Sequence, residues 1–228
     1  MKVRLMGLAL VAVLGLAACS DDDGPTEIVT GRVRAVHLSP DAPAVDVLLD
    51  GTEVLEDVTY LISSEYLDVP TGDRTFRVEP TGTNTAVIEA TVPVAEDVDY
   101  TLLAVNTVAN IEPLYLTDDN TAPAPGQARI RVLHGAPSVG NVDVYVTAPG
   151  AALGTPTLTN VPFKGFSGYL AVPAGRYQVR VTPTGVPGTV AINQEITAPA
   201  NVVATAIAVE RQGGGAPFSI AVLVDAAF

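Results

Sequence analysis

The sequence predicts an all-β chain built as two tandem antiparallel β-sandwiches. Three observations predict it. The stretch Arg32-Val-Arg-Ala-Val-His-Leu-Ser-Pro-Asp-Ala-Pro-Ala-Val-Asp-Val47 returns as Arg129-Ile-Arg-Val-Leu-His-Gly-Ala-Pro-Ser-Val-Gly-Asn-Val-Asp-Val144, 97 positions later and without a gap. Glycine and proline together number 38 of 228 residues, which forces frequent turns. Between those turns, five- to eight-residue runs alternate apolar and polar side chains, with no helical period.

The chain starts with a basic Met1-Lys-Val-Arg4 and an apolar run, Leu5 to Leu16, too short to span a bilayer comfortably. That run ends in Leu16-Ala-Ala-Cys19, which resembles the lipobox of bacterial lipoproteins. The resemblance implies cleavage after Ala18 and acylation of Cys19 by palmitate-type chains, so residues 1–18 are expected to be a signal peptide. Several chains are needed because each buried methylene contributes only about 0.8 kcal/mol. Cys19 is the only cysteine, so it has no disulfide partner within the chain and little to do except carry lipid. Residues 19–27, with Asp21, Asp22 and Asp23, read as an acidic tether. A serine after the lipidated cysteine resembles the outer-membrane sorting pattern of bacteria with two membranes. The expected location is thus the cell envelope, with the membrane as a partner through Cys19.

In the first repeat, expected at residues 28–117, Val33, Ala35 and His37 share one strand face and Arg32 and Arg34 the other. Ser39-Pro40-Asp41 supplies turn chemistry. Val45, Val47 and Leu49 define a second strand, ending at the hairpin-type turn Asp50-Gly51. A proline-rich linker is expected at 118–127 and the second repeat at 128–228. Tyr66-Leu-Asp-Val-Pro-Thr-Gly72 matches Tyr169-Leu-Ala-Val-Pro-Ala-Gly175 at an offset of 103, so the second copy carries six extra residues within Thr147–Thr157. About seven strands per copy imply Ig-like, Greek-key connections.

These motifs resemble the bacterial family of domains of unknown function DUF4397, over about 28–117 and 128–225. The resemblance implies exported or lipid-anchored proteins of Ig-like β architecture, and implies no catalytic residues. The second copy departs at Gly135, Ala136, Ser138 and Gly140.

The formal charge of −13 repels phosphate backbones and excludes nucleic acid as an expected partner. His37, Ser39 and Asp41 have the residue types of a hydrolytic triad but lie within five residues, and Ala136 and Ser138 replace two of them in the second copy. One histidine per repeat is too few for a zinc site. Asp41, Asp46 and Asp50 offer a calcium alternative, of which only Asp143 persists at equal offset. No cofactor is expected. His37 and His134 read as structural groups bonding loop backbone beside Pro40 and Pro137. Asp46 and Asp143 are expected to pair across strands with Arg34 and Arg131. The function expected is that of a non-catalytic structural or protein-interaction module. The alternative is a protein binding a small ligand or glycan, with Tyr60, Tyr66, Phe163, Phe166 and Tyr169 as a stacking platform.

Overall fold

The computed structural model describes residues 28–228, so the leader, the acidic tether and Cys19 lie outside the described residues. The order is β1 (Thr30–His37), β2 (Val45–Leu49), β3 (Thr52–Val58), β4 (Leu67–Pro70), β5 (Gly72–Pro80), β6 (Ile88–Val94), β7 (Asp99–Val105) and β8 (Glu112–Asp118). There follow β9 (Gln127–His134), β10 (Val142–Thr147), β11 (Leu158–Val161), β12 (Leu170–Pro173), β13 (Gly175–Pro183), β14 (Ile192–Ala198), β15 (Val202–Val209) and β16 (Ser219–Ala227). A 3₁₀ turn covers Val108–Asn110.

Each half makes two four-stranded sheets with the same connectivity. They are β4-β1-β7-β8 and β3-β2-β5-β6 in the first half, and β12-β9-β15-β16 and β11-β10-β13-β14 in the second. The chain is all-β with two sandwiches, as the alternation requires. Two details differ from the expectation. Each half has eight strands, and one ladder in each is parallel: β1 with β7, and β9 with β15. The chain crosses between sheets through the histidine–proline turn after β1, and β7 later returns beside β1 in the same direction.

Period-2 alternation sorts the side chains of β1. Val33 and Ala35 enter the first core with Val47, Phe76, Tyr100 and Leu102. Val36 faces the other way, into a cluster that joins the halves: Val36, Leu38, Leu103, Val105 and Leu116 pack with Leu133, Ile207 and Val209. A third cluster fills the second sandwich around Val142, Val144, Val179 and Val181. The result is four layers, with β4-β1-β7-β8 and β12-β9-β15-β16 back to back in the middle. β7 is buried along its full length because both its faces are covered.

The equivalent positions Leu38 and Gly135 meet at this junction. A Cβ on Gly135 would lie 2.9 Å from Ile207 Cγ2 and 3.7 Å from Leu38 Cδ1. The Ile207 methyl and the Ala208 carbonyl, 3.1 Å away, leave no room for a side chain there, so the second copy carries glycine where the first has leucine.

The six extra residues form a loop between Thr147 and Leu158, where the first half has only Asp50-Gly51 between β2 and β3. β11 is correspondingly short, and its ladder reaches only from Val142 to Val144 on β10.

Candidate functional site

The repeated motif places its polar residues in two constellations, and both bond inward. In the first, the His37 imidazole is 1% exposed. Its Nδ1 accepts the Ser39 N–H at 3.2 Å, which leaves Nε2–H to donate to the Pro43 carbonyl at 2.9 Å. Tyr60 packs edge-on against the ring. His134 repeats the arrangement, accepting from Ala136 N at 3.4 Å and donating to Gly140 O at 3.1 Å, with Phe163 edge-on. Burial pushes both imidazoles below the ordinary histidine pKa, the backbone acceptors opposing in part. Each ring is a neutral clamp on its proline loop.

Asp46 and Asp143 clamp the opposite ends of the same segments. Asp46 accepts from Asp57 N at 2.9 Å and from the Thr81 hydroxyl at 2.8 Å. Asp143 accepts from Asn160 N at 2.8 Å and Gly185 N at 2.9 Å. These donors hold both carboxyls below the usual carboxylate range, led by Asp57 N for Asp46 and Gly185 N for Asp143.

The expected pairs Arg34–Asp46 and Arg131–Asp143 do not form. β1 and β2 lie in different sheets, so neighbours in sequence are not neighbours across a ladder. The arginines instead build the second constellation, in the junction between the halves. Arg34 pairs with Asp225 of β16, and Arg131 pairs with Asp118 of β8 at 2.6 Å. Arg34 Nη1 also donates to the Val224 carbonyl at 3.0 Å, and Arg131 Nη1 to the Thr117 carbonyl at 3.1 Å. Within each half, threonine and tyrosine hold the carboxylate that the other half's arginine will meet. Thr101 and Tyr66 donate to Asp118 at 2.5 and 2.7 Å, and Thr205 and Tyr169 donate to Asp225 at 2.8 and 2.7 Å. The two rings also lie under the guanidiniums, 4.9 Å from Arg34 and 4.8 Å from Arg131. Burial, and then the adjacent aspartate charge, raises both tyrosine pKa values well above the ordinary range.

Sequence reasoning missed Asp118, Asp225, Thr101 and Thr205. A signal existed in Tyr100-Thr-Leu-Leu-Ala against Ala204-Thr-Ala-Ile-Ala, where a lone threonine interrupts an otherwise apolar run at the same place.

The triad reading finds no geometry. His37 meets the backbone of Ser39, not its hydroxyl, and Asp41 accepts from Val108 N at 2.7 Å. Asp41, Asp46 and Asp50 each serve separate donors, and among the described residues no group of three metal-ligating side chains converges. The aromatic platform is dispersed too. Tyr66 and Tyr169 lie under arginines, Tyr60 donates to the Glu210 carbonyl at 2.8 Å, and Phe163 packs into the junction cluster. Only Phe166 of the five is exposed.

The architecture is that of a paired β-sandwich whose motif residues lock loops and halves together. A model of the family described as "Domain of unknown function (DUF4397)" matches residues 31–145 and 146–227. The chain belongs to that family. The change of segment falls inside β10, whereas no sheet mixes strands from the two sides of residues 119–126.

No curated protein matches the sequence. Among solved structures, the chain is similar to the Bacillus anthracis TIE protein, with 10% identity and TM-score 0.26, covering 81% of this chain and 34% of that one. It is similar to a leucine-rich repeat protein from Bacteroides thetaiotaomicron, with 16% identity and TM-score 0.23, covering 81% and 26%. The fimbrial anchor protein Mfa2 from Porphyromonas gingivalis gives 12% identity and TM-score 0.26, covering 86% and 97%. The chain thus spans about a third or less of the first two.

Proposed function

We propose that this is a lipid-anchored cell-envelope protein that works as a non-catalytic structural or protein-interaction module. One observation carries the reading. The histidine, arginine and aspartate of the repeated motif, the residues with most chemical capability, are all spent on internal bonds in both halves. What remains outward is a rigid four-layer body with loops at its ends. The acyl chains on Cys19, left after the leader 1–18 is cleaved, supply the anchor, and the acidic tether holds the body away from the membrane surface. An outer-membrane address follows if the producing cell has two membranes.

The test is metabolic labelling with an alkyne palmitate analogue, combined with membrane fractionation of the wild-type chain and Cys19→Ala. Label and membrane retention in the wild type, both lost in Cys19→Ala, are expected. Quantitative membrane retention of Cys19→Ala after a salt wash would overturn the anchor.

A further inference from the structure

The two sandwiches share a fold but do not fill it equally. Ladder register makes the comparison residue by residue. Ala35 pairs with Leu102, and the equivalent pair is Val132 with Ala206. Leu102 faces Tyr115 on β8, where Ala206 faces Val222 on β16. Val33 pairs with Tyr100, and Ile130 with Ala204. Leu49 pairs with Phe76, and Val146 with Val179. The first sandwich therefore places Phe76, Leu102 and a stacked Tyr100–Tyr115 pair, with centroids 4.8 Å apart, where the second has Val179, Ala206, Ala204 and Val222. The added methyls of Ile130 and Val132 return only a small part of that volume.

The consequence is a cavity of about 250 Å³ inside the second sandwich, lined among others by Val144, Val146, Val179, Ile196 and Ala206. None of its lining residues carries a formal charge. Its polar groups are committed elsewhere: Tyr177 donates to the Pro173 carbonyl at 2.7 Å, and His134 is the loop clamp. Thr157 and Pro173 line the space and are exposed, which puts a mouth between the short β11 and β12. The inserted loop 148–157 produces that mouth, because no strand pairs with the end of β10 there. A second space, of about 320 Å³, shares Ile130, Ile196 and Ala206 with the first and runs to the opposite edge, where Val222 and Val224 are exposed.

We propose that these two spaces together form a binding site for a straight aliphatic chain with an uncharged head. A closed apolar void of about 150 Å³ already takes a benzene-sized guest. Two adjoining spaces with mostly aliphatic walls, opening at opposite edges and with Gln194, Glu195 and Thr197 bordering the second, suit an unbranched alkyl chain better than a compact ring. No cationic side chain lines the space, and the formal charge of −13 disfavours a carboxylate head.

The experiment is a methyl-NMR titration of the lipid-free full chain carrying Cys19→Ala, with 1-decanol and, in parallel, decanoate. Saturable shifts at Val144, Val179 and Ile196 with one decanol per chain, at least tenfold tighter than for decanoate, are expected. Ala206→Leu, which restores the first half's residue, should weaken decanol binding at least tenfold while leaving resonances of the first sandwich unmoved. Val179→Phe should do the same independently. Absence of saturable shifts in the parent chain, tighter binding of decanoate than decanol, or unchanged binding in whichever filled variant folds would overturn the proposal.

Discussion

Arg34 of β1 reaches across the junction to Asp225 of β16, 191 residues later in the chain, and both side chains are buried. Arg131 and Asp118 make the reciprocal exchange. Each half thus supplies a cation and a carboxylate whose close ion-pair partner lies in the other half, with Asp118 a more distant 4.0 Å from Arg34 within the first half. Removing one member of such a pair leaves a buried charge, at a cost of about 3–5 kcal/mol, whereas replacing both by apolar residues costs less. Asp225→Asn should therefore lower stability by a few kcal/mol in urea melts. Arg34→Met combined with Asp225→Leu should recover at least half of that loss. Equal losses in the single and double variants would show that the pair is not coupled.

The histidine clamps give a pH dependence whose sign is fixed by burial. His37 and His134 titrate below the ordinary value in the folded protein, so below about pH 6.5 the unfolded chain binds protons that the folded chain does not. Their contribution is fully present above that pH and is lost as pH falls toward the folded values. His37→Ala should cost about 1–3 kcal/mol at pH 7.5, the cavity plus the unpaired Ser39 N–H and Pro43 carbonyl. It should also flatten the stability profile below about pH 6.5. A profile as steep as wild type, in His37→Ala combined with His134→Ala, would assign the slope to other groups.

Gly135 packs its backbone directly against Ile207 and the Ala208 carbonyl at the junction. Gly135→Ala should therefore lower stability by about 1–3 kcal/mol through overpacking against Ile207. Ile207→Ala, which removes the obstructing Cγ2, should cost less in the Gly135→Ala background than in the wild type. Two strictly additive effects in thermal melts would rule the contact out.

Much of the fold was legible because its determinants are local. Alternation in Thr30–His37, the proline turns and the matching Tyr-x-x-Val-Pro-x-Gly stretches set strands and their ends, and the change of offset from 97 to 103 located the long loop. The histidine face was legible for the same reason. What a strand's outer face touches is not local. Arg34 and Arg131 were visibly opposite the core, but an outward face looks the same whether it meets water or a second sandwich. The pattern therefore points to the cross-strand pairs Arg34–Asp46 and Arg131–Asp143, and carries no sign of the junction cluster of Leu38, Leu103, Leu133 and Ile207. The parallel β1–β7 ladder was hidden likewise, since period-2 alternation carries no strand direction.

The most direct test of the two halves forming one unit is differential scanning calorimetry of the lipid-free full chain carrying Cys19→Ala. The apolar cluster and the reciprocal Arg–Asp pairs couple the sandwiches, so a single transition with calorimetric and van't Hoff enthalpies in agreement is expected. Halves expressed as 28–118 and 127–228 should each melt below the intact chain, having exposed the cluster. Two resolved transitions in the intact chain, at the temperatures of the separate halves, would contradict it.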